Sequence, residues 1–130
     1  MSTALQEQLV ALTQQLLESI TGGDWATYER LCDPTLTAFE PEARGQLVEG
    51  LPFHKFFFDR RESPRPSHTT ICAPHVRLLG SDTAIVSYVR LHQGVDSTGI
   101  AATRRFEETR VWQRQDGQWR HVHFHRSTSS

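Results

Sequence analysis

Lysine is almost missing from this sequence: Lys55 is the only one, beside 13 arginines. Cysteine is nearly as scarce, with Cys32 and Cys72 alone. Two thiols cannot build a disulfide framework, and a reduced, cytoplasmic compartment suits them best. Net charge is close to nil, since 14 basic against 15 acidic residues leaves −1. That excludes an overall basic field for nucleic acid or an anionic membrane surface. No apolar run approaches the length of a bilayer span, and the first residues lack the basic start and unbroken apolar stretch of a secretory signal. Gly-rich phosphate loops, nucleophile elbows and kinase catalytic-loop signatures are all absent. No Lys or Arg occurs before Arg30, so the first helix is not a basic, calmodulin-target-like one. At 130 residues the chain reads as a single small domain, too short for a two-lobed enzyme.

What is present divides into two periodicities. Leu5, Leu9, Leu12, Leu16 and Ile20 recur at helical spacing behind a Thr3/Gln6 capping box, and Gly22-Gly23 stops the helix. Asp24 caps a second helix over about Trp25 to Leu31. A strand over about Thr35 to Phe39 follows, then a turn at Pro41 and a loop to Gly50. Phe53, Phe56 and Phe57 mark a third helix from about Leu51 to Asp59, and Arg60–Pro66 reads as a surface loop. From Ser67 the period becomes two. Strands are expected at about His68–Leu79, Thr83–Gln93, Gly99–Arg114 and Gln118–Arg126, with hairpin turns at Gly80-Ser81-Asp82 and Asp116-Gly117. Ser127 to Ser130 read as a frayed tail. Helices first and a four-stranded meander after is the pattern of an α+β domain.

Strand parity singles out the candidate site. Ala84, Val86, Tyr88 and Arg90 share one face, as do Phe106, Glu108, Arg110 and Trp112, and as do Val122, Phe124 and Arg126. Three neighbouring strands thus each set one arginine on an otherwise apolar or aromatic face. A buried arginine needs a partner. Local carboxylates at Glu107, Glu108, Asp59 or Glu40 would supply one; too few of them would leave a pocket for a small carboxylate or phosphate. The arginine bias itself has two readings, genome base composition or planar anion recognition. Ile85, Val89 and Leu91 make the opposite strand face apolar as well, which a solvated face would not be, so that face is expected to be a subunit interface. His121, His123 and His125 alternate as if on one strand face; two of them are candidate zinc ligands, with a polar or interfacial face as the plainer reading. No metal or cofactor is expected. His54 is either a helix-surface histidine or a pocket hydrogen-bonding group and acid–base residue. Cys32 and Cys72 read as inert thiols.

Several stretches are similar to the association, or hub, domain of calcium/calmodulin-dependent protein kinase II. They include Thr37-Ala38-Phe39-Glu40-Pro41-Glu42-Ala43, Val48-Glu49-Gly50-Leu51, Phe53-His54, His68-Thr69-Thr70 and Glu107-Glu108-Thr109-Arg110-Val111-Trp112. Asp116-Gly117 and Val122-His123-Phe124-His125-Arg126 extend the likeness, which runs in one register from Leu5 to Arg126. The resemblance implies a cone-shaped fold of the nuclear transport factor 2-like kind, with a curved antiparallel sheet around the long first helix. It implies self-assembly into two stacked rings of about twelve to sixteen subunits, and an oligomerisation scaffold rather than an enzyme. It also implies an arginine-lined pocket for small carboxylates at His54, Arg90, Arg110 and Arg126. The alternative is an isomerase- or dehydratase-like enzyme of the same fold using His54. Two departures stand out: Asp59–Pro66 is shorter than the family's loop and lacks its tryptophan, and Met1 sits almost directly on the first helix, as in a kinase-less homolog or an excised hub.

Overall fold

The computed structural model describes residues 3–61 and 66–128. Helix α1 spans Thr3–Gly22 and helix α2 Trp25–Leu31. Strand β1 (Cys32–Phe39) leads through a 3-10 turn at Pro41–Ala43 to strand β2 (Val48–Glu49) and helix α3 (Pro52–Asp59). Four long strands complete the chain: β3 (Ser67–Leu79), β4 (Thr83–Val95), β5 (Ala101–Gln115) and β6 (Gln118–Thr128). No helix among the described residues is long and apolar enough to cross a membrane.

The leucine stripe of α1 does what its spacing requires, with Leu9, Leu16 and Leu17 fully buried. Thr13 lies on the same face and is satisfied twice: its hydroxyl donates to the Leu9 carbonyl (2.8 Å) and accepts from Trp112 Nε1 (3.1 Å). A hydroxyl in the core therefore ties the helix to β5 at no desolvation deficit. Past the helix, Gly23 adopts φ 69° and the Asp24 amide donates to the Ser19 carbonyl (2.8 Å), closing α1 with a left-handed C-terminal motif. Asp24 caps α2 by accepting from the Thr27 amide.

The sheet has six strands in the order β2-β1-β6-β5-β4-β3. The expected antiparallel meander forms β3 to β6, but β1 adds to it alongside β6 in parallel, and β2 pairs with β1. Sequence patterning cannot announce a partner some eighty residues away, and the two-residue β2 has no period to read. At the Asp116-Gly117 hairpin both residues have positive φ, 51° and 80°, as a type I′ turn demands. Ser127 and Thr128 continue β6 opposite Glu107 and Phe106. That corrects the expected frayed tail, whose last two positions lie outside the described residues. So do the Thr3 side chain of the expected capping box and residues 62–65 of the expected surface loop.

Two bulges matter. In β3 the register shifts between Cys72 and His75, where Ala73 has φ 49° and Pro74, which has no amide to give, sits on the outermost strand. In β6 the register shifts so that Val111 faces His123 while Trp112 faces His121, leaving Val122 unpaired. The bulge reverses side-chain parity. His121, expected on the face of His123 and His125, is instead fully buried beside Trp112, and Val122 is not among the residues packed in the core with Phe124. The triple-histidine face does not exist. No group of three or more metal-ligating side chains is gathered among the described residues.

Candidate functional site

Strand parity holds on β4 and β5: Ala84, Val86, Tyr88 and Arg90, then Phe106, Glu108, Arg110 and Trp112, are all buried. At one end of this core face the polar residues gather. Helix α3 delivers His54, β4 Arg90, β5 Glu108 and Arg110, and β6 Arg126, while the end of β1 and the 3-10 turn bring Glu40 and Glu42. His54, Arg90, Arg110 and Arg126 line one cavity of about 180 Å³, with Tyr28, Phe57, Phe58 and Phe124 among its walls. The helix-surface reading of His54 is thereby corrected: the side chain faces inward and is buried.

The arginines are not short of carboxylates. Glu108, 2% exposed, lies between two of them, at 3.4 Å from Arg90 Nη1 and 3.1 Å from Arg110 Nη2. It also accepts from the Tyr88 hydroxyl (2.6 Å), which in turn accepts from Arg110 Nε (2.8 Å). Arg90 Nε donates to Thr69 Oγ1 (2.7 Å). Burial alone would raise the Glu108 carboxyl, but Arg110 and Arg90 outweigh it and hold it below the usual carboxylate range. Arg126 pairs with Glu42 and lies 3.7 Å from Glu40. Of the carboxylates expected to pair with these arginines, Glu108 and Glu40 do so. Glu107 pairs with Arg105 and Asp59 with Lys55, both exposed. Glu42 was not foreseen, because it sits on a turn with no periodic link to the strands.

Behind this layer the network ends in neutral groups. Arg110 Nη1 lies 3.4 Å from His121 Nε2. A guanidinium can only donate, so Nε2 accepts and Nδ1–H faces Cys32 Sγ at 3.5 Å. Burial and then Arg110 push the His121 pKa well below its ordinary value. The Cys32 thiol is pushed up to about 12, chiefly by burial, and is no nucleophile. Sequence reasoning missed His121 because the bulge that buries it leaves no mark in the residue pattern.

Two polar atoms of the residues lining this cavity stay open. His54 Nε2 meets Glu40 Oε2 at 2.5 Å, yet its buried Nδ1 has no partner. Arg126 Nε is likewise buried and unpartnered. The cavity thus combines aromatic walls, an orienting carboxylate on a histidine, and one arginine whose present partner, Glu42, has a side chain 42% exposed. Chemically it is equipped to hold a small anion at its mouth, and His54 to give or take a hydrogen bond there.

The comparisons agree with this architecture. The rabbit (Oryctolagus cuniculus) calcium/calmodulin-dependent protein kinase type II subunit delta is 51% identical over 128 residues, 97% of this chain. The chain spans about a quarter of that relative's length, 24%. The hub homology domain of Chlamydamonas reinhardtii CamKII superposes with TM-score 0.92 at 44% identity, covering 97% of this chain and 99% of that one. A nuclear transport factor 2-like protein from Salmonella enterica shares the fold at TM-score 0.79 and 18% identity, covering 100% of this chain and 94% of its own. Residues 5–130 match the calcium/calmodulin dependent protein kinase II association domain. The part that is shared is the association domain and not the catalytic one, and the chain belongs to that association-domain family.

Proposed function

We propose that this chain is a non-enzymatic oligomerisation module that closes into two stacked rings of about twelve to sixteen copies. The observation that carries the reading is the sheet face turned away from α1. There Ile85 pairs with Val111, and Val89 lies four residues further along the same strand, all only half-buried in the single chain. An antiparallel sheet that showed this face to water would alternate to polar residues; a second copy laid against it removes the apolar row from solvent. Where a catalytic domain is attached, such a ring multiplies its local concentration without new contacts. A cytoplasmic setting is part of the proposal and fits two free cysteines.

The same reading gives the arginine cavity a small carboxylate ligand. Arg110 and Arg90 are occupied by Glu108, so the ligand carboxylate goes to Arg126, where it exchanges with Glu42, and its other end lies near His54 Nδ1. Native mass by light scattering across a dilution series tests the assembly. A species of roughly 180–240 kDa, twelve to sixteen times 14.9 kDa, is expected; a stable particle of one or two chains would overturn it.

A further inference from the structure

Next to the small cavity, on the outer side of Arg90 and Arg126, lies a second basin of about 440 Å³. It falls in the range of roughly 300–1,000 Å³ usual for ligand sites, which the 180 Å³ cavity does not reach. The two share Ile20, Arg90 and Arg126 as a common wall, but His54, Arg110, Glu40 and Glu42 face only the inner one. The basin adds Arg104 and His92 from β5 and β4, and no carboxylate belongs to its described lining.

Its floor is Phe106, 5% exposed. Three guanidinium carbons stand around that ring, with Arg90, Arg104 and Arg126 at 5.6, 5.2 and 5.3 Å from its centroid. Cation–ring attraction favours each contact alone, yet three like charges about one ring repel one another. Arg90 and Arg126 are offset by glutamates on their inner side. Arg104 is exposed, and no carboxylate pairs with it among the described residues. His92 registers the same field: burial lowers its pKa, and Arg90, Arg104 and Arg126 lower it further. Arg61, also at the basin, is committed elsewhere, donating to the Ile20 and Thr21 carbonyls at the end of α1 (2.6 Å each).

We propose that this outer basin is a binding site for a small phosphate-bearing anion, held by Arg104 together with the outer edges of Arg90 and Arg126. A monocarboxylate offers two oxygens and one charge, which a single bidentate arginine satisfies. A phosphate group or pyrophosphate offers three or more oxygens and about two or more charges, matching several planar donors with no competing carboxylate among the described lining residues. The basin is open, so a strongly hydrated anion enters without losing all of its water. This site stands whether or not the inner cavity holds a carboxylate.

Titration calorimetry on the intact chain separates the two. The probes are pyrophosphate, inorganic phosphate, malonate and acetate, applied to the unaltered protein, Arg104→Gln and His54→Gln. Arg104 is exposed and its loss leaves no buried charge, so the variant folds. Pyrophosphate is expected to bind more tightly than malonate or acetate. Arg104→Gln should weaken pyrophosphate by about tenfold or more and leave acetate unchanged, whereas His54→Gln should act on acetate alone. Equal pyrophosphate affinity in Arg104→Gln, absence of pyrophosphate binding, or malonate binding more tightly than pyrophosphate would each overturn the phosphate site. Absence of acetate binding by itself counts only against the inner-cavity reading.

Discussion

Arg110 sets two buried neighbours in opposite charge states. Burial lowers the pKa of His121 and the positive charge of Arg110 lowers it further, while at Glu108 the same charge, with Arg90, outweighs burial; the carboxyl stays ionised and the imidazole neutral. The histidine has the earlier consequence in acid. Unfolded, it takes up a proton as pH falls through about its ordinary 6.5; folded, it resists until well below that. The unfolded state therefore binds more protons over this window, and stability falls as pH falls from 6.5. His92 and His123, also lowered chiefly by burial, add to the same limb. Denaturant midpoints measured between pH 7 and 5 should decline, and His121→Gln should flatten the decline; an unchanged slope would remove His121 from the account. A second residue-scale expectation concerns the small cavity. Glu42 competes with an incoming carboxylate for Arg126, and its exposed side chain makes the ion pair weak. Glu42→Gln should therefore raise acetate affinity by about two- to fivefold, the size of a surface pair, as read by calorimetry.

The β5–β6 hairpin is the clearest case of an element specified locally. Gly117 holds φ 80°, and a methyl group there would meet nothing within 4 Å. Gly117→Ala should cost only the left-handed backbone penalty, about 1–2 kcal/mol, seen as a drop of a few degrees in Tm; no change would mean that the turn relaxes to another form. Elements of this kind were legible in the sequence: α2 begins behind Asp24 and spans Trp25–Leu31 as expected, and β4 alternates as its residues do. The β6 bulge was not, because an extra residue in a strand leaves alternation intact on either side and merely changes its phase. Arg90, Arg110 and Arg126 were found by parity, since Phe124 and Arg126 lie on the far side of the bulge from His121. Their glutamates were found only in part, because Glu42 reaches Arg126 from an element joined to β6 by no local pattern. Parity locates charges on a sheet but says nothing of what a neighbouring turn brings to them.

At the scale of the molecule, the half-buried apolar face of the sheet makes a sharp expectation. Val89 lies opposite Cys72 and Glu107 in the ladder and contributes little to the core behind it. Val89→Glu should leave the far-UV circular dichroism unchanged while reducing the assembled species to small particles by light scattering; a variant that still assembles fully would place the interface elsewhere. The order of the sheet carries one more consequence. Strand β6 lies between β1 and β5, so the last of the six strands to leave the ribosome fills a gap in the middle rather than extending an edge. Until it arrives, β1 and β5 each offer an open row of backbone donors and acceptors to any passing strand. A nascent chain halted before Gln118 is therefore an aggregation hazard rather than a smaller version of the fold. Synthesis, not only sequence, governs how safely this sheet is closed.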